Sequence, residues 1–158
     1  MRIAAATLTA LVLAFTVAAQ PASAAPPKLT SFGYGKLKLG QTKKQALKTG
    51  LIRVSGQSGG GCTTFVFKKK PKDASGYLSS RYGVIAIFAA KSMKTPKGVG
   101  VGSTWKAAKK AYPKLRQGPN VAVTPAPGNK KAQYWFLFDA KKRVYQMGLV
   151  HKKQHCFN

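Results

Sequence analysis

Acidic side chains are almost absent from this chain of 158 residues. It contains no glutamate and only two aspartates, Asp73 and Asp139, against 28 lysine and arginine residues, so the formal net charge is +26. Catalysis by paired carboxylates would have to use these two aspartates, but both lie in sequences typical of turns, where aspartate accepts backbone hydrogen bonds. Such an excess of positive charge attracts polyanions of any kind, including nucleic acid, cell-wall polymers, anionic lipid and acidic proteins.

Histidine and cysteine are equally scarce, with two residues of each. Both histidines fall in one cluster, which consists of His151, Lys152, Lys153 and His155. Two imidazoles and a lysine could cleave RNA without any carboxylate, and the histidines with Cys156 could bind a metal unless that cysteine forms a disulfide. No serine lies in a nucleophile-elbow sequence. We predict that the protein is not an enzyme and uses no cofactor or metal.

The first 24 residues are typical of a secretion signal. Arg2 provides a positive start, residues 3–17 form an apolar run, and Ala22-Ser23-Ala24 is a small-residue cleavage sequence. The apolar run is short for a membrane span. We therefore predict a secreted, extracellular protein with no membrane span, which has a signal peptide over 1–24, a flexible leader over 25–35 and a single domain over 36–158.

The two cysteines of an exported protein favour a disulfide over a metal site. We expect a bond between Cys62 and Cys156, which would close a loop of 95 residues (156 − 62 + 1). A loop of that length contributes about 4 to 5 kcal/mol in the chain-entropy model. The bond would tie the C-terminal end of the chain to the middle of its first half.

Residues 35–50, GKLKLGQTKKQALKTG, look at first sight like a phosphate-binding loop. Such a loop needs a lysine and then Ser or Thr after its second glycine, with an acidic residue elsewhere for magnesium. Gln41 occupies the lysine position, so we do not expect nucleotide binding. Thr42 and Gln45 instead form the Ser/Thr-x-x-Gln pattern of a capping box, which begins a helix.

The same pattern recurs 62 residues later. Five of nine residues are identical between 40–48 and 102–110, which favours an internal duplication. Helices are expected over 43–48 and from 103 or 104 to about 112, and strands over 62–68, 81–89, 133–138 and 143–150. We predict an α+β fold of two tandem helix-strand-strand repeats, 36–90 and 97–158, with the helices packed on one face of an antiparallel sheet.

Two short segments, Leu39-Gly40-Gln41-Thr42 and Val101-Gly102-Ser103-Thr104, each open a predicted helix. With the strands that follow, they resemble the tandem-repeat β-lactamase-inhibitor-protein family of secreted actinobacterial proteins, and are similar to the single-copy SmpA/OmlA type of outer-membrane lipoprotein domain. The resemblance implies an aromatic, concave sheet face that grips a partner protein. It does not extend to β-lactamase inhibition, because the sequence around Asp73 does not match the family's inhibitory loop.

The aromatic residues of the predicted C-terminal hairpin indicate a binding surface. Alternation along 133–138 places Tyr134 on one face and Trp135 on the other, so both faces of the hairpin are apolar. One of them is therefore available to a partner if no second layer covers it. With the nearby basic loops, the candidate binding residues are Tyr134, Trp135, Tyr145, Lys68, Lys69, Lys70, Lys72, Lys141, Lys142 and Arg143.

Two functions fit this pattern. The first is a secreted, non-catalytic, inhibitor-like protein that engages an acidic extracellular protein through an aromatic sheet face and a lysine rim. The alternative is a cationic polyanion-binding or antimicrobial protein that acts on cell wall, anionic membrane or extracellular nucleic acid. Any binding of nucleic acid is expected to be non-specific.

Overall fold

An antiparallel sheet of eight strands makes up most of the fold. The computed structural model describes residues 28–157, so the predicted signal peptide and residues 25–27 of the predicted leader lie outside the described residues. In chain order the elements are β1 Gly33–Tyr34, β2 Leu37–Lys38, α1 Lys43–Lys48, β3 Ile52–Ser58, β4 Cys62–Phe67, β5 Ser75–Ser79, β6 Gly83–Phe88, α2 Trp105–Ala111, β7 Arg116–Gln117, β8 Ala122–Pro125, β9 Ala132–Phe138 and β10 Val144–His151. β1 and β2 form a separate hairpin, and the large sheet has the order β3-β4-β5-β6-β10-β9-β8-β7.

The predicted fold class, α+β with helices packed on one face of a sheet, is wrong. α1 has six residues and α2 has seven, so 13 of the 130 residues from 28 to 157 are in these helices. Two helices this short do not form a layer over eight strands, and the structure is mainly antiparallel β. The helix-strand-strand unit is also wrong, because four strands of the large sheet follow each helix.

The two halves of the chain do share one order of elements. α1 is followed by β3 to β6 and α2 by β7 to β10, and the two sets of strands meet where β6 pairs with β10. In that pairing Ala86, Ile87 and Phe88 lie beside Val150, Leu149 and Gly148. The last strand of each half therefore lies at the centre of the sheet.

Each helix begins with a threonine cap. The Thr42 cap is as predicted, and of Ser103 and Thr104, which the sequence left open, Thr104 is the cap. Thr42 Oγ1 accepts a hydrogen bond from Gln45 N at 3.3 Å, and Thr42 N donates to Gln45 Oε1 at 2.9 Å, so the capping box is present. Thr104 Oγ1 accepts from Ala107 N at 3.2 Å. The caps supply acceptors for N–H groups that the first helical turn leaves without partners.

Equivalent glycines attach each helix start to a central strand. Gly40 N donates to Val84 O of β6 at 2.9 Å, and Gly102 N donates to Val144 O of β10 at 2.7 Å. Gly40 has φ of 82° and Gly102 has φ of 86°, a left-handed conformation that is costly for residues with a Cβ. The recurring glycine therefore serves the same turn geometry in both halves.

Four of the strands in the large sheet, β4, β6, β9 and β10, were predicted, and β3, β5, β7 and β8 were missed. β5 includes Gly76, a residue that weakens a strand prediction. A Cβ at Gly76 would overlap the Phe65 ring on β4 and Ala86 O on β6. The glycine thus allows β4, β5 and β6 to pack closely. The strand propensities of single residues do not express this requirement.

The hydrophobic core lies on one face of the large sheet. Phe65 of β4, Ile87 of β6 and Leu149 of β10 belong to it, and the equivalent residues Ala46 of α1 and Ala108 of α2 are fully buried with them. Residues assigned to the flexible leader also pack here. Leu29 has no exposed surface, and its N–H donates to Lys94 O at 2.9 Å.

The predicted disulfide between Cys62 and Cys156 is confirmed, with 5.7 Å between the Cα atoms. Cys62 begins β4, and Cys156 lies in the segment after β10. Since β6 and β5 separate β10 from β4 in the sheet, this segment crosses two strands before it is fixed. We call residues 152–157 the tail.

We expect Gly40→Ala and Gly102→Ala each to lower the free energy of unfolding by about 1 to 2 kcal/mol, because a Cβ disfavours positive φ. The two losses should add, since the sites lie in different halves. Gly59→Ala is the matched control, because Gly59 has no positive φ and open space around a new Cβ. Urea unfolding checks this, and a loss for Gly59→Ala as large as for the other two would contradict it.

Candidate functional site

The sheet face opposite the core, which we call the open face, carries a row of large side chains. Adjacent strands place Val123, Trp135, Gly148 and Phe88 side by side. A Cβ on Gly148 would lie 2.8 Å from Phe88 Cδ1, so the glycine leaves room for that ring. Tyr77 of β5 contacts Phe88 edge to face, with 6.2 Å between the ring centroids.

Phe157 of the tail fills the space between these aromatic side chains. Its ring centroid lies 4.8 Å from that of Tyr77, 5.3 Å from Phe88 and 5.5 Å from Trp135. The Trp135 indole nitrogen is buried without a hydrogen-bond partner among residues 28–157. The protein's own chain thus covers the centre of the aromatic surface that the sequence predicts to be a binding surface.

Two independent constraints hold Phe157 in place. The disulfide to Cys62 fixes the residue before it. The Gln154 side chain folds back on the tail, because its Nε2 donates to Phe157 O at 2.8 Å and its Oε1 accepts from Phe157 N at 3.4 Å. The tail is therefore an ordered part of the open face.

The three aromatic residues predicted to bind a partner occupy three different environments. Tyr134 is fully buried on the core face and its hydroxyl donates to Leu29 O at 3.0 Å; burial raises the pKa of that hydroxyl. It belongs to the core and does not reach a surface. Trp135 is partly covered by Phe157, whereas Tyr145 is 54% exposed beside a β-bulge.

The predicted basic residues lie at one end of the sheet. β5 starts at Ser75 opposite Phe88, and β10 starts at Val144, before it passes Phe88 at Gly148. The loop that carries Lys68, Lys69, Lys70 and Lys72 and the turn that carries Lys141, Lys142 and Arg143 therefore leave the sheet at the same end, which we call the hairpin end. All seven side chains are exposed.

A second basic cluster lies at the opposite end, which we call the tail end. It joins His151, Lys152 and Lys153 of the predicted histidine cluster to Tyr82, Lys130 and Lys131, which the sequence analysis did not connect with them. One cavity of about 310 Å³ is lined by Tyr82, Lys130, Lys131, His151, Lys152 and Lys153. A neighbouring cavity of about 390 Å³ shares Tyr82, Lys131 and His151 and adds Phe32 and Leu39. We call the two adjoining cavities the tail groove.

Tyr82 is the structural centre of the tail groove. Its ring stacks on His151 with 5.9 Å between centroids and 16° between planes, and His155 contacts it edge to face. Arg81 Cζ lies 5.3 Å from the Tyr82 ring centroid and Lys153 Nζ lies 5.8 Å from it, within the range of cation–π attraction.

Ser79 positions the turn that carries Tyr82. Its buried hydroxyl oxygen accepts from Arg81 N and Tyr82 N, both at 3.1 Å, and lies 2.9 Å from His155 Nε2. The histidine in turn lies next to the disulfide, with Nδ1 3.9 Å from Cys62 Sγ. The Ser79 side chain therefore connects the tail to the β5–β6 turn.

His151 stands in a positive environment. Burial, followed by the charges of Lys131 and Lys153, lowers the pKa of its imidazole. Its Nδ1 accepts a hydrogen bond from Lys153 N at 3.1 Å, so the neutral ring carries its proton on Nε2. A neutral donor ring beside several ammonium groups suits the binding of an anion.

The two histidines of the candidate ribonuclease-like pair both contact the Tyr82 ring, His151 by stacking and His155 edge to face. His155 also lies with Cys62 and Cys156 within 4.8 Å. The two sulfurs are bonded to each other, so they are not thiolate ligands. Anion binding is the chemistry that this arrangement offers most directly.

One sequence signal could have located the tail groove. Lys131 precedes β9 and Lys152 follows β10, and a hairpin over 133–138 and 143–150 requires these two residues to be neighbours. The structure places Ala132 opposite His151, and Lys152 N donates to Lys131 O at 2.9 Å. Two dibasic pairs that are 22 positions apart (152 − 130) thus share one surface.

Comparison of the chain with protein-family models, with curated proteins and with solved structures yields no match. The resemblance to the β-lactamase-inhibitor-protein and SmpA/OmlA types therefore stays a prediction. Between residues 28 and 157, neither helix is long and apolar enough to cross a membrane.

Replacement of Phe157 by alanine should uncover Trp135. We expect a loss of about 1 to 2 kcal/mol in the free energy of unfolding, because part of an aromatic side chain is no longer buried. Trp105→Phe leaves Trp135 as the remaining tryptophan. In that background, Phe157→Ala should shift the fluorescence emission of Trp135 to longer wavelength. Phe32→Ala, which removes an exposed ring remote from Trp135, is the control, and an unchanged emission spectrum for Phe157→Ala would contradict the expected contact.

Stability should fall as the pH is lowered from about 7.5 to 5.5. Unfolded His151 binds a proton near the ordinary pKa of about 6.5, whereas the folded protein resists protonation until lower pH. The contribution of neutral His151 to the free energy of unfolding is therefore complete above pH 6.5, and it is lost as the pH falls towards the pKa of this residue in the folded protein. Urea unfolding at both pH values should show a smaller loss for His151→Gln, and equal losses would be evidence against this environment.

Proposed function

We propose that this chain is a secreted, non-catalytic, cationic protein that binds anionic polymers outside the cell. The observation that carries the proposal is the lack of internal partners for its positive charges. Residues 28–157 contain 27 lysine and arginine residues and two aspartates, so at least 25 cations (27 − 2) have no side-chain carboxylate to pair with there. Their charge is available to an external polyanion.

Both aspartates already serve the backbone. Asp73 Oδ2 accepts from Lys91 N at 2.9 Å, and Asp139 Oδ1 accepts from Arg143 N at 2.8 Å. The Asp139 bond closes the turn between β9 and β10, whereas the Asp73 bond joins the loop before β5 to the segment after β6. The unpaired cations occur at both the hairpin end and the tail end of the sheet, which favours a long polymer over a small anion.

An anionic polymer is favoured over an acidic protein because the open face is partly filled. Phe157 lies between Tyr77, Phe88 and Trp135, so the aromatic surface that a protein partner would need is reduced. Binding of a polyanion depends on exposed ammonium groups and needs no free apolar surface.

A second candidate function keeps the acidic extracellular protein as partner and has one observation in its favour. Tyr145 is 54% exposed, and it lies at the hairpin end next to Arg143 and the exposed lysines of the two basic loops. An exposed tyrosine with a basic rim is a typical anchor for a protein interface. This candidate would use the hairpin end and leave Phe157 in place.

Affinity for heparin, a probe polyanion, should fall steeply with salt. Between about 50 and 200 mM salt we expect a loss of at least about a hundredfold, because counterion release dominates the binding free energy. Replacement of Lys68, Lys69 and Lys70 by glutamine should weaken binding, and Tyr145→Ala, which keeps the net charge, should not. Isothermal titration calorimetry measures both.

Two results would count against the polyanion proposal. One is the absence of heparin binding at low salt, and the other is binding that does not change with salt. Retention of one acidic protein from culture medium at about 0.5 M salt, with loss on Tyr145→Ala, would favour the second candidate.

A further inference from the structure

The tail groove is a cavity in which lysines stand beside an exposed aromatic ring. Phe32 is 52% exposed and lines the same cavity as Lys131 and His151. The adjoining cavity adds exposed Lys130 and Lys152. A large apolar side chain left in water next to several ammonium groups is typical of a site that binds an anion attached to a flat ring.

Hydrogen bonds fix the backbone segment that carries Phe32. Phe32 N donates to Thr30 Oγ1 at 3.3 Å, and Leu39 N donates to Phe32 O at 3.0 Å. The turn before β9 is bound to the segment that carries Phe32, because Asn129 Nδ2 donates to Ser31 O at 2.8 Å. Phe32 therefore presents its ring from a backbone that is fixed on both sides.

The opposite wall of the tail groove is equally constrained. His151 stacks on Tyr82, and Lys152 N donates to Lys131 O. The disulfide at Cys156 prevents the tail from moving away. A preformed groove loses less conformational entropy on binding than surface lysines on flexible loops do.

We propose that the tail groove binds single-stranded nucleic acid without preference for base sequence. The ammonium groups of Lys130, Lys131 and Lys152 contact phosphodiester oxygens, and the ring of Phe32 stacks on a base. The inference rests on the proposed function, because it takes the ligand to be an anionic polymer. It adds a defined site and a ligand class to that function.

The chemistry of the tail groove favours nucleic acid over other anionic polymers. Sulfated glycans and phosphodiester polymers without bases have no flat aromatic group to cover Phe32. Unpaired bases do, and stacking of a base on an aromatic side chain is tolerant of base identity because every base has a π-face. Base-paired duplexes keep their bases stacked on one another, so they should bind through charge alone.

The test compares two ligands of equal charge. One is a fluorescent oligothymidylate of about twelve nucleotides, and the other is an abasic oligonucleotide with the same backbone, both within the usual site sizes of single-strand binding proteins. Fluorescence anisotropy at moderate salt should show roughly tenfold tighter binding of the oligothymidylate. Phe32→Ala should abolish that difference, whereas Tyr145→Ala, which removes an equally exposed ring at the hairpin end, should leave it unchanged.

The charge contribution is tested with two double variants of equal net charge. Lys131→Gln with Lys152→Gln should weaken oligothymidylate binding by at least about tenfold more than Lys68→Gln with Lys69→Gln at the hairpin end. Addition of the oligonucleotide should also shift the His151 ring resonances in an NMR spectrum. All four replaced lysines are exposed, so each variant should fold. Circular dichroism is the control for folding.

The possible outcomes separate this inference from the proposed function. Tighter binding of the oligothymidylate that depends on Phe32 supports the site. Equal affinity for oligothymidylate, abasic strand and heparin overturns the inference and leaves polyanion binding standing, as does equal weakening by the two double variants. Failure of all three ligands to bind at low salt overturns both.

Discussion

The pairing of β6 with β10 is the interaction on which the rest of the structure depends. It joins the last strand of each half, and the backbone amides of Gly40 and Gly102 attach the two helix starts to those same strands. The core is continuous across this pairing, since Ile87 and Leu149 lie side by side within it. A chain with so few carboxylates has little access to ion pairs, so its stability rests on buried apolar surface, backbone hydrogen bonds and one disulfide.

The central position of β10 also determines the path of the tail across the sheet. Because β10 is central and Cys62 begins β4, the disulfide draws residues 152–157 across two neighbouring strands. Phe157 is thereby placed among the aromatic side chains of the open face, and the dibasic pair after β10 is placed beside Lys131 at the tail end. One covalent constraint thus covers a candidate protein-binding surface and shapes a candidate anion-binding groove.

Local signals predicted part of the fold. The Thr42 capping box located the first helix start, the second was predicted to within one residue, and β-branched or aromatic runs marked four of the eight strands in the large sheet. The four missed strands depend on their neighbours, as Gly76 illustrates, because its small size matters only beside the Phe65 ring. The predicted α+β fold class was wrong because a well-capped helix start carries no information on how many strands follow it. At the candidate site, the sequence predicted an aromatic surface but not the Phe157 ring that covers its centre.

The sequence by itself determined the charge, the recurring helix-start segment, the Thr42 cap and the cysteine pair, because composition and short-range spacing express each of these directly. Only the tertiary structure decided that Tyr134 is buried and that Phe32, Tyr82 and Lys131 share one groove. Those three residues are far apart in the chain. They meet because strand order brings the β5–β6 turn and the segment before β9 to one end of the sheet, where Asn129 binds the segment that carries Phe32. Proximity of this kind is a property of strand pairing and chain connection, which no local pattern of residues encodes.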